Sequence, residues 1–112
     1  MVARCRASRC IRSTLEGTVV RFEWDDEKAV ANLRKHGVSF GEATEVFYDP
    51  NALEAYDVEH SGFDLRFFII GFSSRRLLYV VYAERAAEVV RIISARRANK
   101  LEREDYEQRT KE

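Results

Sequence analysis

The residues best suited to act on an anion lie late in the chain. The segment RIISARR, positions 91–97, brackets Ile92, Ile93, Ser94 and Ala95 with Arg91, Arg96 and Arg97. Arginine holds a phosphate through two parallel N–H bonds, where lysine acts as a point charge. Read as a strand with regular alternation, Val90, Ile92, Ser94 and Arg96 share one face. Val89, Arg91, Ile93, Ala95 and Arg97 share the other. Arg96 then ends a row otherwise suited to a core. Its guanidinium either reaches solvent at the strand end or meets an anion there.

Three further places carry reactive side chains. Lys35-His36 sets a cation beside a proton-transfer group; the same pair before Gly37 is also ordinary charge placement at a helix C-terminus. Glu84-Arg85 follows the most apolar stretch. It is either a surface ion pair or an arginine presented at a cleft rim. Tyr106 can stack on a base or donate a proton, and equally can anchor a helix to a sheet. His60, followed by Ser61-Gly62, reads as a turn residue, and Phe67, Phe68, Tyr79 and Tyr82 as core or sheet surface. The chain has no P-loop, dinucleotide fingerprint, nucleophile elbow or CxxC. Cys5, Cys10, His36 and His60 do not make a zinc-ligand pattern, so no metal and no cofactor is expected.

Composition bounds the elements that must position these groups. The chain of 112 residues is 46% hydrophobic, with equal numbers of basic and acidic side chains, 19 each. That is one globular domain. No apolar run reaches the roughly 18 residues of a membrane span. Residues 1–20 hold four arginines and one glutamate, net +3; the other 92 hold 15 basic and 18 acidic side chains, net −3. A slightly acidic body argues against a general nucleic-acid coat protein and leaves room for a local phosphate site. Residues 1–20 read as a disordered extension, or as a start placed too far upstream of Val19 or Val20. The domain is expected over residues 21–112.

VVRFEW is a short strand ending at Trp24. In DDEKAVANLRKHG, Asp25 suits an N-cap, Arg34 to His36 the last turn, and Gly37 the left-handed position beyond it. Ala29, Val30 and Leu33 are its expected buried stripe. A second helix opens at Ser39, whose spacing to Glu42 fits a capping box; it buries Phe40, Ala43, Val46 and Phe47 and stops at Asp49-Pro50. ALEAYD, RFFIIGF, RLLYVVYAE and VVRIISA follow as strands. A charged helix closes the chain, with Asn99 and Glu102 in capping positions and a weak apolar stripe that keeps it on the surface. Helices followed by strands indicate an α+β domain: an antiparallel sheet of four to five strands packed against two N-terminal helices, with a C-terminal helix.

FEWDDEKAVANLRKHGVSFGEATEVFYDP, a loop bearing His60, Arg66, IGFSSRRLLYVVYAER and RIISARRANKLEREDYE resemble, in order and spacing, the BrnT toxins of type II toxin–antitoxin systems. The resemblance spans residues 21–107. It implies a RelE-like fold and a cytoplasmic endoribonuclease that works without metal and blocks translation. It further implies a BrnA-like ribbon-helix-helix antitoxin, operator DNA contacted only through that antitoxin, and a toxin homodimer within a heterotetramer. One departure is Ala86-Ala87-Glu88, where the strand connection lacks a glycine.

Under that resemblance, the 2′-hydroxyl of RNA attacks the adjacent phosphate, so a base, a phosphate-stabilising cation and an acid are needed. Lys35 or His36 is expected to transfer protons, Arg85 and Arg96 to stabilise the phosphate, and Tyr106 to act as acid or stacking group. Arg91, Arg97 and Glu84 are expected to contact RNA. The alternative is a non-catalytic subunit that joins an antitoxin in a repressor complex. The retained arginines and Lys35-His36 favour the enzyme, while the acidic balance of residues 21–112 mildly favours the alternative, because free RNA is repelled at long range.

Overall fold

The computed structural model describes residues 10–12, 19–56, 66–86 and 89–110. The elements run β1 (Cys10–Arg12), β2 (Val19–Glu23), α1 (Asp26–His36), α2 (Phe40–Glu45), a 3-10 turn (Val46–Tyr48), β3 (Leu53–Tyr56), β4 (Arg66–Phe72), β5 (Leu77–Ala86), β6 (Val89–Arg97) and α3 (Lys100–Thr110). The fold is α+β, with a single sheet ordered β1-β2-β6-β5-β4-β3. Strands β3 to β6 form the expected antiparallel meander. β2 lies parallel to β6, so the sheet is mixed, not wholly antiparallel. The cause is the path of the chain. β3 starts the meander at the far edge, and three antiparallel steps bring β6 back beside β2.

α1 and α2 cover one face of the sheet. Phe22, Val38, Phe40, Val46, Val80 and Ile92 are at the centre of the core between them, each at most 2% exposed. α3 covers part of the opposite face, where Ile70, Leu77 and Tyr106 form a second cluster. The local chemistry of α1 is as expected at both ends. Asp25 accepts from Glu27 N at 2.8 Å, and Gly37, at φ 73°, closes the helix in the left-handed region that suits a residue without Cβ.

The buried stripe of α1 differs from expectation. Val30 and Leu33 are 55% and 51% exposed, and Asn32 is buried. Its Nδ2 donates to Val38 O at 2.9 Å and to Ala95 O at 2.8 Å, while its Oδ1 accepts from Ala95 N at 3.2 Å. A polar anchor with satisfied partners turns the helix and swings the aliphatic pair outward. In α2, Ser39 Oγ accepts from Glu42 N at 3.0 Å, as a capping box requires. The Glu42 carboxylate instead binds Arg76, Nε at 2.9 Å and Nη2 at 2.8 Å, and accepts from Ser73 Oγ at 2.8 Å. This ties the β4–β5 turn to α2. It holds the Glu42 carboxyl below its usual range, chiefly through Arg76.

The alternation predicted for residues 89–97 breaks once. Tyr82 pairs with Ile92 and Val81 with Ser94, leaving Ile93 as an extra residue on β6. The bulge shifts the phase, so Val90, Ile92 and Ala95 all join the core under α1. Arg96 then points to the α3 face, over the Tyr79 ring.

Candidate functional site

The sheet register sorts the predicted site residues into separate regions. Arg96 pairs with Tyr79 and Arg91 with Ala83. Five residues of strand separate Arg91 from Arg96, about 17 Å. Arg85 lies near the Arg91 end, between Glu84, which pairs with Val90, and Ala86, which pairs with Val89. Arg85 and Arg96 are therefore not brought to one phosphate. Lys35 and His36 end α1, whose Asn32 is bonded to Ala95. That helix packs on the face opposite to the one Arg96 occupies. Lys35 is exposed and His36 partly so.

Arg96 is held within the chain. Its Nη1 and Nη2 donate to the two oxygens of Glu102 at 2.9 and 2.8 Å, and its guanidinium carbon lies 4.2 Å from the Tyr79 ring centre. The Glu102 bond raises the Arg96 pKa further, against the opposing effect of burial. Glu102 also accepts from Asn99 N, and Asn99 Oδ1 accepts from Glu102 N, both at 2.9 Å, completing the capping box of α3.

Tyr106 is buried and donates to Asp49 Oδ2 at 2.6 Å. Burial first and the Asp49 bond second push its hydroxyl up to about 12. Burial works to raise Asp49, but bonds from Tyr106, Phe72 N and Asn51 N outweigh it and leave Asp49 below its usual range. The hydroxyl therefore docks α3 on the sheet. Arg97 is exposed at the end of β6, and Glu84 is exposed near the end of β5. The side chain of Arg85 and the whole of His60 lie outside the described residues.

One row across four strands does bring charged groups together. Arg66 on β4 pairs with Ala83 on β5, Ala83 with Arg91 on β6, and Arg91 with Glu23 on β2. Arg66 and Arg91 share the α3 face of the sheet, at the end remote from α3's anchor at Phe72 and Tyr106. Their Cα atoms are about 10 Å apart, two strand spacings, with only the methyl of Ala83 between. Glu23 is 8% exposed, and its Oε2 accepts from Arg91 Nη1 at 3.3 Å. Arg91 adds, as the smallest contribution, to the lowering of Asp25, which comes mainly from the amides of Lys28 and Glu27. The backbone at Arg85 carries the second irregularity of the β5–β6 pairing, at this same end. Bulges re-aim the chain and are frequent beside active sites.

The row is a short shelf, small in the middle and cationic on both sides. Ala83 is itself 1% exposed, and two guanidinium groups on one face of a sheet are chemistry suited to an anion. Sequence reasoning missed Glu23 and passed over Arg66. The alternation Phe22-Glu23-Trp24 marks Glu23 as turned away from the main core. Its burial and its partner appear only once β6 is known to lie parallel beside β2. Among the described residues, no three His, Cys, Asp or Glu side chains are grouped as metal ligands. Among the described residues, no helix is long and apolar enough to cross a membrane.

Comparison with known proteins gives the fold and the family. No curated protein matches the chain. The crystal structure of the Brucella abortus ribonuclease toxin BrnT superposes with a TM-score of 0.53, at 24% sequence identity, covering 69% of this chain and 94% of that one. At that identity the likeness establishes the fold alone. The profile described as ribonuclease toxin, BrnT, of type II toxin–antitoxin system matches residues 24–102, which take in the whole shelf except Glu23. By that match the chain belongs to the BrnT family of ribonuclease toxins.

Proposed function

We propose that this chain is an endoribonuclease that cleaves RNA without metal, and that the phosphate to be cleaved sits on the shelf between Arg66 and Arg91. The observation that carries this is the Glu23–Arg91–Ala83–Arg66 row, which sets two arginines on one face of the sheet on either side of Ala83. The 2′-oxygen attacks the adjacent phosphorus, the P–O5′ bond breaks, and the products are a 2′,3′-cyclic phosphate and a 5′-hydroxyl. The substrate supplies its own nucleophile, so the chemistry needs no metal-bound water. Negative charge grows on the non-bridging oxygens as the fifth bond forms. Fixed guanidinium groups stabilise that charge without reorganising. Solvent takes the 2′-hydroxyl proton and protonates the leaving oxygen; Glu84, which pairs with Val90, lies on the opposite face of the sheet. Glu23 holds Arg91 in place by the bond between them.

Membership of a type II toxin family implies an antitoxin partner. That partner is a BrnA-like ribbon-helix-helix protein. It neutralises the toxin and carries it to operator DNA, and the target of cleavage is RNA needed for translation in the cytoplasm. The test is cleavage of a defined RNA in excess EDTA, with the 3′ ends identified. Cyclic phosphate ends in EDTA support the reading. Cleavage that requires an added divalent cation, or 3′-hydroxyl products, sinks it.

A further inference from the structure

We propose that the end of the molecule remote from the arginine shelf is a second contact for the RNA backbone, formed by Lys35, Arg75 and Arg97. The proposal rests on the reading of RNA as substrate and assigns a surface which that reading does not use. The three cations come from separate elements joined by short contacts. Arg76 Nη2 donates to Gly37 O at 2.9 Å, setting the β4–β5 turn against the end of α1 that carries Lys35. Asn32, one turn before, binds Ala95 at 2.8 Å, two residues from Arg97. Arg97 pairs with Leu78, three residues after Arg75, and Ala98 N donates to Leu77 O at 3.1 Å.

All three side chains are exposed, and none forms an ion pair among the described residues. Carboxylates on adjoining elements are already engaged. Glu42 is bound by Arg76 and Ser73, Glu45 accepts from Ser74 N at 2.8 Å, and Glu102 is bound by Arg96 and Asn99. The chain as a whole is neutral, so this end is positive by arrangement, not by composition. The exposed aliphatic pair Val30 and Leu33 does not belong to it. Leu33 and Lys35 differ by two positions, about 160° around the helix. Three exposed cations from separate elements suit phosphates better than an amphipathic protein segment. It also supplies long-range attraction where the acidic balance of residues 21–112 opposes RNA.

The test is binding of a 2′-O-methyl RNA of about twenty nucleotides, which lacks the nucleophile and is not cleaved, measured by fluorescence anisotropy across a salt series. The proteins are the full chain, Arg75→Ala/Arg97→Ala, and the same double variant with Lys35→Ala. Removing two cations is expected to weaken binding on the order of tenfold at low salt and to reduce the log–log salt slope by about 1.4; removing three, by about 2. Melting temperatures alongside confirm that each variant is folded. Unchanged affinity and slope in the triple variant overturn the proposal. So does loss of antitoxin binding with RNA binding intact, which would make this a protein-docking surface. Cleavage of unmodified RNA by the full chain, run in parallel, tests the ribonuclease reading on its own.

Discussion

Asn32 binds Ala95 as one strand binds its neighbour, donating to its carbonyl at 2.8 Å and accepting from its amide at 3.2 Å. The bond fixes α1 on β6 at the position where β6 has just recovered its phase after the bulge at Ile93. Asn32→Ala leaves both backbone groups of Ala95 and the Val38 carbonyl without this partner, in a buried place. The expected loss is about 2–3 kcal/mol, measured by urea unfolding. Val30→Ser, on the exposed side of the same helix, is expected to stay within about 0.5 kcal/mol of the parent. Equal losses at the two positions would contradict this orientation of α1.

Tyr106 and Asp49 give stability a pH signature. The Asp49 and Glu42 carboxyls are lowered in the folded state, so their contribution is present above about pH 4 and is lost as pH falls through the folded values. The Tyr106 hydroxyl is raised to about 12, so its contribution is complete below about pH 10 and is lost as pH rises towards 12. Tyr82, buried and donating to Glu54 at 2.7 Å, is raised too and adds to the alkaline loss. Tyr106→Phe is expected to lower the plateau by about 1 kcal/mol and to shrink the alkaline step without abolishing it. Chemical denaturation from pH 3 to 11 checks both. An unchanged alkaline step in the variant would deny the bond its role.

Arg96 is expected to serve structure before chemistry. Its guanidinium joins β6 to α3 through both oxygens of Glu102. Arg96→Ala and Glu102→Ala should therefore destabilise the protein by similar amounts, about 1–2 kcal/mol, and the double variant by less than the sum. RNA cleavage at a temperature where the variants remain folded should be retained. Loss of cleavage in well-folded Arg96→Ala, with Glu102→Ala active, would return Arg96 to the chemistry.

The elements were legible because their signals are local. Asp25 and Gly37 bound α1, Ser39 opens α2, and Asn99 with Glu102 opens α3 by side-chain bonds that short spacings reveal. The partnerships that decide the site are not local. Glu23 and Arg91 are 68 positions apart and meet only through the parallel pairing of β2 with β6. The faces of residues 89–97 could not be read correctly from alternation, because a one-residue bulge leaves no mark in composition. Val30 and Leu33 looked buried by period alone, and Asn32 prevailed because its amide matches three backbone groups on the sheet side.

The proton-transfer pair suggested by Lys35-His36 provides a negative control. α1 starts beside Arg91 and carries these residues to its far end, eleven residues on, about 16 Å. His36→Ala is expected to keep turnover on a short RNA within a few-fold of the parent, and Lys35→Ala to keep kcat within a few-fold while weakening RNA binding. A hundredfold drop in kcat for either, in folded protein, would move the chemistry to that end of the molecule.

The most direct measurement is single-turnover cleavage of a short RNA by the parent chain and by Arg66→Ala, Arg91→Ala and Arg96→Ala, each with its melting curve, in buffer containing EDTA. The predicted result is cleavage by the parent and by Arg96→Ala, with Arg66→Ala and Arg91→Ala slowed by about a hundredfold or more, the scale for losing one preorganised charge-stabilising group. Full activity in folded Arg66→Ala and Arg91→Ala would contradict the assignment of the phosphate to the shelf across β4, β5, β6 and β2.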